Sequence, residues 1–263
     1  MEITSYEIIG SKEKAVAIIE IPKNLIRKEN EIANEIMKRH KHVVSVLKKT
    51  SERKSEYRVR NYKLIKGQKN TEVIHKENGC NLKVDPRKVY FSQREGTERL
   101  RIAGYTKKNE TIMVMFSGIG SFSVNIAKHQ KNIKKIISVE LNPSAVDYMI
   151  ENIKLNRSQD KIIPVLGDVK KVCKEWYNKC NRVVMPLPHE SWKYIQIALK
   201  CLKSTGIIHI YFFDSEKKVE RNVKRRIEKL KQKTKKKIIY KIRRVLPYAP
   251  GINKYCVDMK LSN

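Results

Sequence analysis

The stretch Phe116-Ser117-Gly118-Ile119-Gly120-Ser121-Phe122 sets two glycines one residue apart, between an apolar run at Ile112 to Phe116 and an amphipathic segment at Phe122 to Lys131. Glycines in a strand-to-helix turn let the backbone approach a ligand closely. Glu140 ends the next apolar run, 20 residues beyond Gly120, where a carboxylate can accept hydrogen bonds from both hydroxyls of a ribose. Gly167-Asp168 closes a third apolar run and offers an acceptor for an adenine amino group. The dinucleotide fingerprint is broken, because Ser123 stands where its third glycine belongs, and no Gly-Lys-Ser or Gly-Lys-Thr follows for a triphosphate. A nucleoside cofactor without phosphates fits this set, and S-adenosyl-L-methionine is the one expected. Phe116, Leu141, Val169 and Met185 flank these positions and complete the expected cofactor contacts. A glycine turn and a solvent-facing acid on an unrelated α/β fold would show the same spacings.

A fourth apolar run ends at Met185 and passes into Pro186-Leu187-Pro188. In an open α/β sheet the ligand lies outside the carboxyl ends of the strands, so this segment falls where an acceptor must meet the cofactor. Two prolines, with fixed φ and no N–H, hold the backbone extended. Exposed carbonyls and apolar rings there can clamp a planar base, although a plain proline-terminated strand reads the same way. His189 and Glu190 read as the start of a helix.

These residues need a parallel sheet beneath them. From about Thr106 strands and helices alternate: strands near 112–116, 136–139, 162–165, 182–185 and 206–213, with helices near 122–131, 143–155, 169–178, 190–202 and 215–232. Runs 238–245 and 255–261, joined by a loop at Pro247 to Gly251, read as an antiparallel hairpin on the sheet edge. Ahead of this lies a smaller α/β pattern: strands near 6–9, 15–21 and 43–47, a helix opened by Pro22, and a hairpin over 71–84 turning at Asn78-Gly79.

The chain has 263 residues, and 58 Lys and Arg against 27 Asp and Glu leave a formal charge of +31. That excess points to a polyanionic partner, with nucleic acid first; lysine-rich solvated faces would raise the charge too. Residues 217–244 hold fifteen Lys or Arg and two Glu, which suits an RNA-facing edge or a solvated helix. No apolar run approaches the roughly 20 residues of a membrane-spanning helix. Five cysteines, odd in number and without a CxxC pair, argue against a zinc ribbon or a disulfide framework. A cytoplasmic protein with no metal and no membrane partner is expected, a monomer being favoured.

Together with Tyr57-Arg58-Val59-Arg60, Ile74-His75-Lys76-Glu77-Asn78-Gly79, Val89-Tyr90-Phe91-Ser92-Gln93-Arg94, Glu98-Arg99, Glu140-Leu141-Asn142-Pro143 and Tyr248-Ala249-Pro250, the motifs above resemble the archaeal and eukaryotic tRNA methyltransferases that act on the purine at position 37, beside the anticodon. The resemblance runs from about Tyr6 to the C-terminus. It implies a class I, Rossmann-like methyltransferase domain over 106–263, preceded by a small α/β RNA-binding domain over 1–105. It also implies S-adenosyl-L-methionine as cofactor and the tRNA anticodon loop as partner. Members usually carry a further N-terminal domain that reads the tRNA elbow, and this chain is expected to begin after it.

The resemblance also implies roles. Glu98 would be the general base that removes the N1 proton of guanine, Arg58 would stabilise the charge developing on O6, Tyr90 would shape the cofactor pocket, and Arg99 would contact the cofactor. Guanine N1-methylating members usually show Asn-Leu-Pro at the end of the fourth strand, where this chain has Pro186-Leu187-Pro188. A proline ring cannot donate to a guanine edge. The archaeal subgroup with proline there is associated with methylation of carbon 7 of 4-demethylwyosine to isowyosine, so that activity is expected, with N1 methylation of guanosine 37 as a second or shared one. A transferase moving the aminocarboxypropyl group of the same cofactor is the alternative, and a catalytically silent RNA-binding scaffold a third reading.

Overall fold

A computed structural model describes residues 6–51 and 59–262. Arg58 lies outside these described residues. The chain opens with β1 (Tyr6–Gly10) and β2 (Ala15–Ile19), an antiparallel pair. The helix expected from Pro22 begins instead as a 3-10 turn over Lys23–Lys28 and becomes regular only in α1 (Glu29–Arg39). β3 (Val43–Lys49) then runs parallel to β2, and β4 (Tyr62–Gly67) pairs antiparallel with β3, closing a four-stranded sheet in the order β1-β2-β3-β4. Ile32, Ala33 and Ile36 of α1 cover one face of this sheet against Ala15, Ala17 and Val46.

A two-stranded hairpin follows, β5 (Val73–Glu77) and β6 (Cys80–Val84). Its turn residues Asn78 and Gly79 have φ of 49° and 72°, the left-handed pair that a two-residue turn requires. A 3-10 turn over Gln93–Glu95 leads into α2 (Gly96–Tyr105).

The remainder forms a seven-stranded mixed α/β sheet. Its elements are β7 (Thr111–Met115), α3 (Ser121–His129), β8 (Lys135–Glu140), α4 (Pro143–Leu155), β9 (Ile162–Leu166), α5 (Val169–Val172), β10 (Cys180–Met185), α6 (Ile195–Cys201), β11 (Leu202–Ser215), α7 (Val219–Thr234), β12 (Lys237–Ala249) and β13 (Ile252–Ser262). The strand order is β12-β13-β11-β10-β7-β8-β9. β7 to β11 are mutually parallel, while β13 is antiparallel to β11. All five residues of β7 are buried, as the central strand of a sheet covered on both faces must be. The chain moves outward from β7 through β8 to β9 and returns on the other side of β7 as β10, so the switch point lies between β7 and β10.

Three elements are shorter or longer than their sequence pattern implied. α5 is four residues followed by a 3-10 turn over Cys173–Trp176. A 3-10 turn over Ser191–Tyr194 precedes α6. The expected loop at 247–251 is paired strand up to Ala249, with a tight turn at Pro250-Gly251. β12 is the sheet edge, where Pro247 does not interrupt a ladder for want of an N–H.

One core cluster joins the hairpin, α2, α3 and α4 to one face of the large sheet and continues into Ile9, Val16, Ile18 and Leu47 of the small one. On the opposite face α5, α6 and α7 pack around Met113, Val183 and Ile208. α7 inserts Val219, Val223, Ile227 and Leu230 into that core, so much of its basic complement occupies the outward face of an amphipathic helix. No helix among the described residues is long and apolar enough to cross a membrane. The five cysteines are free and buried. Burial pushes the thiols of Cys80 and Cys180 up to about 11 and about 12, which leaves both protonated at neutral pH.

Candidate active site

A cavity of about 560 Å³ opens at the carboxyl ends of β7, β8, β9 and β10, the position that the strand order assigns to a ligand and a size suited to a small molecule. Of the expected cofactor contacts, Tyr90, Arg99, Phe116, Gly118, Glu140, Leu141, Gly167, Asp168 and Val169 form its wall. Gly120 and Met185 stand behind it. A Cβ on Gly120 would lie 2.8 Å from Cγ of Met149 at a φ of +79°, so glycine lets α3 start tightly against α4. Met185 is fully buried.

Glu140 organises the cavity floor. Its Oε2 accepts from the Gly118 N–H at 2.7 Å, and its Oε1 accepts from the N–H groups of Leu141 and Asn142, both at 2.9 Å. Gly118 at φ +55° aims its N–H at this carboxylate. A carboxylate has about four lone-pair positions, and three are used here. Glu140 therefore keeps an acceptor position on Oε2 open toward a ribose. Asp168 caps α5 by accepting from Lys170 N–H at 2.9 Å through Oδ1. Phe116 holds a left-handed φ of 59°, unusual for a bulky residue, and its ring meets Tyr194 edge-on at 4.9 Å.

Arg99 is 2% exposed and forks onto Glu77 of β5 with two bonds of 2.5 Å, its guanidinium 5.1 Å from the Phe91 ring. It therefore ties the hairpin to α2 while reaching the cavity wall. Burial alone would raise the Glu77 carboxyl, but hydrogen bonds from His75 and Arg99 hold it down to about 2.

The acceptor loop differs from its sequence reading. The one hydroxyl proton of Ser191 is shared between the carbonyls of Met185 and Leu187, Leu187 C=O also accepts from the Ser191 N–H, and Pro188 C=O accepts from the Phe213 N–H. Of the loop's own carbonyls, those of Leu187 and Pro188 are thus already engaged, and Pro188 is buried. Pro186 and Leu187 are the residues of this loop that line the cavity.

Glu98 is not in the cavity wall. Its carboxylate accepts from Arg101 at 2.6 and 2.7 Å and from the Tyr211 hydroxyl at 2.6 Å. Arg101 also bonds Asp258, which accepts from His209 Nδ1 at 2.6 Å, and Nε2 of His209 accepts from Arg182, whose guanidinium forks onto Glu110. Burial holds the His209 imidazole below its ordinary value despite Asp258, consistent with a neutral ring donating through Nδ1. His209, Cys256 and Asp258 bring possible metal ligands within 4.8 Å of one another. Three guanidinium groups, of Arg101, Arg182 and Arg243, already bond this cluster, so its charge is met without a cation. The carboxylate that does reach the wall from this region is Glu95. It is 6% exposed, paired with Lys254 at 2.8 Å, and accepts from the Tyr90 hydroxyl at 3.3 Å. Sequence reasoning missed Glu95, as it missed Asn142, Lys170, His189 and Tyr194 in the wall.

Comparison with known proteins fits this architecture. The TRM5/TYW2 methyltransferase domain matches residues 73–239, and the TYW2 N-terminal domain matches residues 2–71. A tRNA (guanine(37)-N(1))-methyltransferase Trm5b of Pyrococcus abyssi is 39% identical over 213 residues, 81% of this chain and 61% of that protein's length. A tRNA(Phe) (4-demethylwyosine(37)-C(7)) aminocarboxypropyltransferase of Methanocaldococcus jannaschii is 37% identical, covering 88% of this chain and 91% of the relative. The tRNA 4-demethylwyosine(37)-methyltransferase Taw21 of Saccharolobus solfataricus is 36% identical, covering 78% and 76%. The crystal structure of M. jannaschii TYW2 in complex with AdoMet superposes with a TM-score of 0.75 at 31% identity, covering 98% of this chain and 100% of that one. The chain belongs to the TRM5/TYW2 methyltransferase family.

Proposed function

We propose that this protein is an S-adenosyl-L-methionine-dependent methyltransferase that acts on the purine at position 37 of tRNA, methylating carbon 7 of 4-demethylwyosine and, as a second activity, N1 of guanosine 37. The observation that carries the choice of acceptor is Pro186. It lines the cavity at the end of β10, where an amide would be needed to hydrogen-bond a guanine edge. An apolar wall of Pro186 and Leu187 suits a larger, flatter base.

Glu140 would hold the ribose of the cofactor, and Leu141, Gly167 and Asp168 would contact its adenine. When bound, it supplies an electrophilic methyl group on a sulfonium. Methylation at either atom releases a proton, from N1 of guanine or from the methylated carbon, and a carboxylate of the 95–98 segment takes it. Glu98 is the residue the family resemblance supports. Glu95 is the second reading, supported by its place in the wall beside Tyr90. Arg58 is proposed to stabilise charge on the acceptor base, and Pro188 to fix the shape of the loop through its bond to Phe213. The formal charge of +31 supports tRNA as partner, and the buried free thiols suit a reducing cytoplasm.

Two tRNAs, one with unmodified guanosine 37 and one with 4-demethylwyosine, incubated with the cofactor and then digested to nucleosides, test the reading. Isowyosine from the second tRNA is expected. Product confined to guanine N1 would overturn the choice of acceptor.

A further inference from the structure

Beside the cavity mouth stands a group of aromatic rings that the reaction as described does not use. Tyr248, near the end of β12, is 56% exposed and stacks on Phe213 of β11, with centroids 4.0 Å apart and planes at 30°. His189 closes the group, edge-on to Phe213 at 4.8 Å and to Tyr248 at 6.1 Å. His189 is also part of the cavity wall, and the Phe213 N–H donates to the carbonyl of Pro188 at 3.2 Å. The group is therefore fixed to the acceptor loop by a backbone bond and starts at the cavity rim. Tyr248 itself stands at a shift of register in the β12–β13 ladder, between the pairs Pro247–Asn253 and Ala249–Ile252.

We propose that Tyr248, supported by Phe213 and His189, is a stacking site for a nucleobase that flanks the one undergoing modification. The proposal rests on the tRNA reading above. A large ring held flat on a second ring, with more than half its surface in solvent, is the arrangement on which a base stacks irrespective of its sequence. The strongly basic chain supplies the attraction for the phosphates on either side. A base drawn into the cavity past Pro186 leaves its neighbours unstacked at the rim, and this platform replaces a lost stacking partner. A single-stranded loop is the form of RNA whose bases are open to such contacts.

The test uses the wild-type protein, Tyr248→Ala and Tyr248→Phe, each with an anticodon stem-loop RNA carrying 2-aminopurine at position 36 or 38, together with steady-state modification of tRNA. Tyr248→Ala, at an exposed position, should raise KM for tRNA roughly 5- to 150-fold, the loss of one stacked base, and leave cofactor affinity unchanged. Tyr248→Phe should stay close to wild type, because the ring and not the hydroxyl carries the contact. Wild type should quench one of the two 2-aminopurine probes on binding, and the alanine variant should not. KM within twofold of wild type for Tyr248→Ala, a phenylalanine variant as impaired as the alanine one, or no quench of either probe by wild type would each overturn the proposal. Wild type that quenches a probe yet modifies no tRNA would refute the catalytic reading and leave the stacking site standing. A platform built for a protein partner would leave both the KM and the fluorescence unmoved, which also overturns it.

Discussion

Replacing Glu140 with glutamine changes one oxygen for an NH2 group at nearly constant shape, and the consequences can be worked through bond by bond. The carboxylate now accepts from three backbone N–H groups, of Gly118, Leu141 and Asn142. A glutamine has one acceptor oxygen, so its best orientation keeps the pair from Leu141 and Asn142 and turns its NH2 toward the Gly118 N–H, donor against donor. Leaving that N–H without an acceptor costs about 1–3 kcal/mol, or roughly 2–10 °C in melting temperature for a chain of this size. The ribose contact weakens separately, because the position left for a hydroxyl becomes a neutral NH2 donor: a bond to a charged group is worth roughly 1.5–3 kcal/mol and one between neutral groups about 0.5–1.5 kcal/mol. The difference predicts a Kd for S-adenosyl-L-methionine about tenfold higher, measured by calorimetry. A cofactor analogue lacking both ribose hydroxyls separates the two effects: it should bind wild type and Glu140→Gln with closely similar affinity. An unchanged Kd for the true cofactor, or an equal loss for the dideoxy analogue, would refute the ribose assignment.

Pro186→Asn should restore a donor toward a guanine edge, raising the ratio of kcat/KM for guanosine 37 over the tricyclic base by roughly 2- to 13-fold, the worth of one neutral hydrogen bond; an unchanged ratio would detach Pro186 from base choice. Glu98→Gln and Glu95→Gln, assayed side by side for kcat and cofactor Kd, should separate the two candidate proton acceptors. The true acceptor should lose about a hundred- to ten-thousandfold in kcat with cofactor binding retained, and an unchanged rate removes the residue concerned. Glu77 has a folded value of about 2 against an ordinary 4.5, so the native state binds fewer protons than the unfolded chain between these values. Its contribution, roughly 3 kcal/mol, is fully present above about pH 4.5 and fades as pH falls toward 2. Urea midpoints of wild type should therefore drop more steeply than those of Glu77→Gln over that window, and parallel curves would contradict the pairing with Arg99.

Much of the large sheet can be read from apolar runs, because its parallel strands are buried on both faces and need no alternation; Ile112 to Met115 and Val183 to Met185 show this plainly. The Gly118, Glu140 and Asp168 positions are legible for a related reason, since each stands at the carboxyl end of such a run. What the residues around Pro186 offer a ligand is less legible. Pro186-Leu187-Pro188 announces a stiff segment, but only the fold shows Ser191 and the Phe213 N–H engaging its carbonyls. Glu95 is harder still. It lies in a short 3-10 turn without periodicity, and its partner Lys254 comes from β13, far along the chain. The network from Glu110 through Arg182, His209, Asp258 and Arg101 to Glu98 likewise draws on β10, β11, β13 and α2. Spacing along one chain carries no record of such a meeting. The hairpin β12–β13 shows the reverse case: Pro247 reads as a loop residue locally, and edge-strand geometry makes it strand.

Which group leaves the cofactor separates methyl transfer from aminocarboxypropyl transfer most directly. S-adenosyl-L-methionine labelled in the methyl group, and separately in the carboxyl carbon of its aminocarboxypropyl group, can be offered with tRNA bearing 4-demethylwyosine at position 37. Methyl transfer predicts label in RNA from the first cofactor only, with S-adenosylhomocysteine as the by-product. Label in RNA from the second cofactor, with methylthioadenosine released, would contradict it.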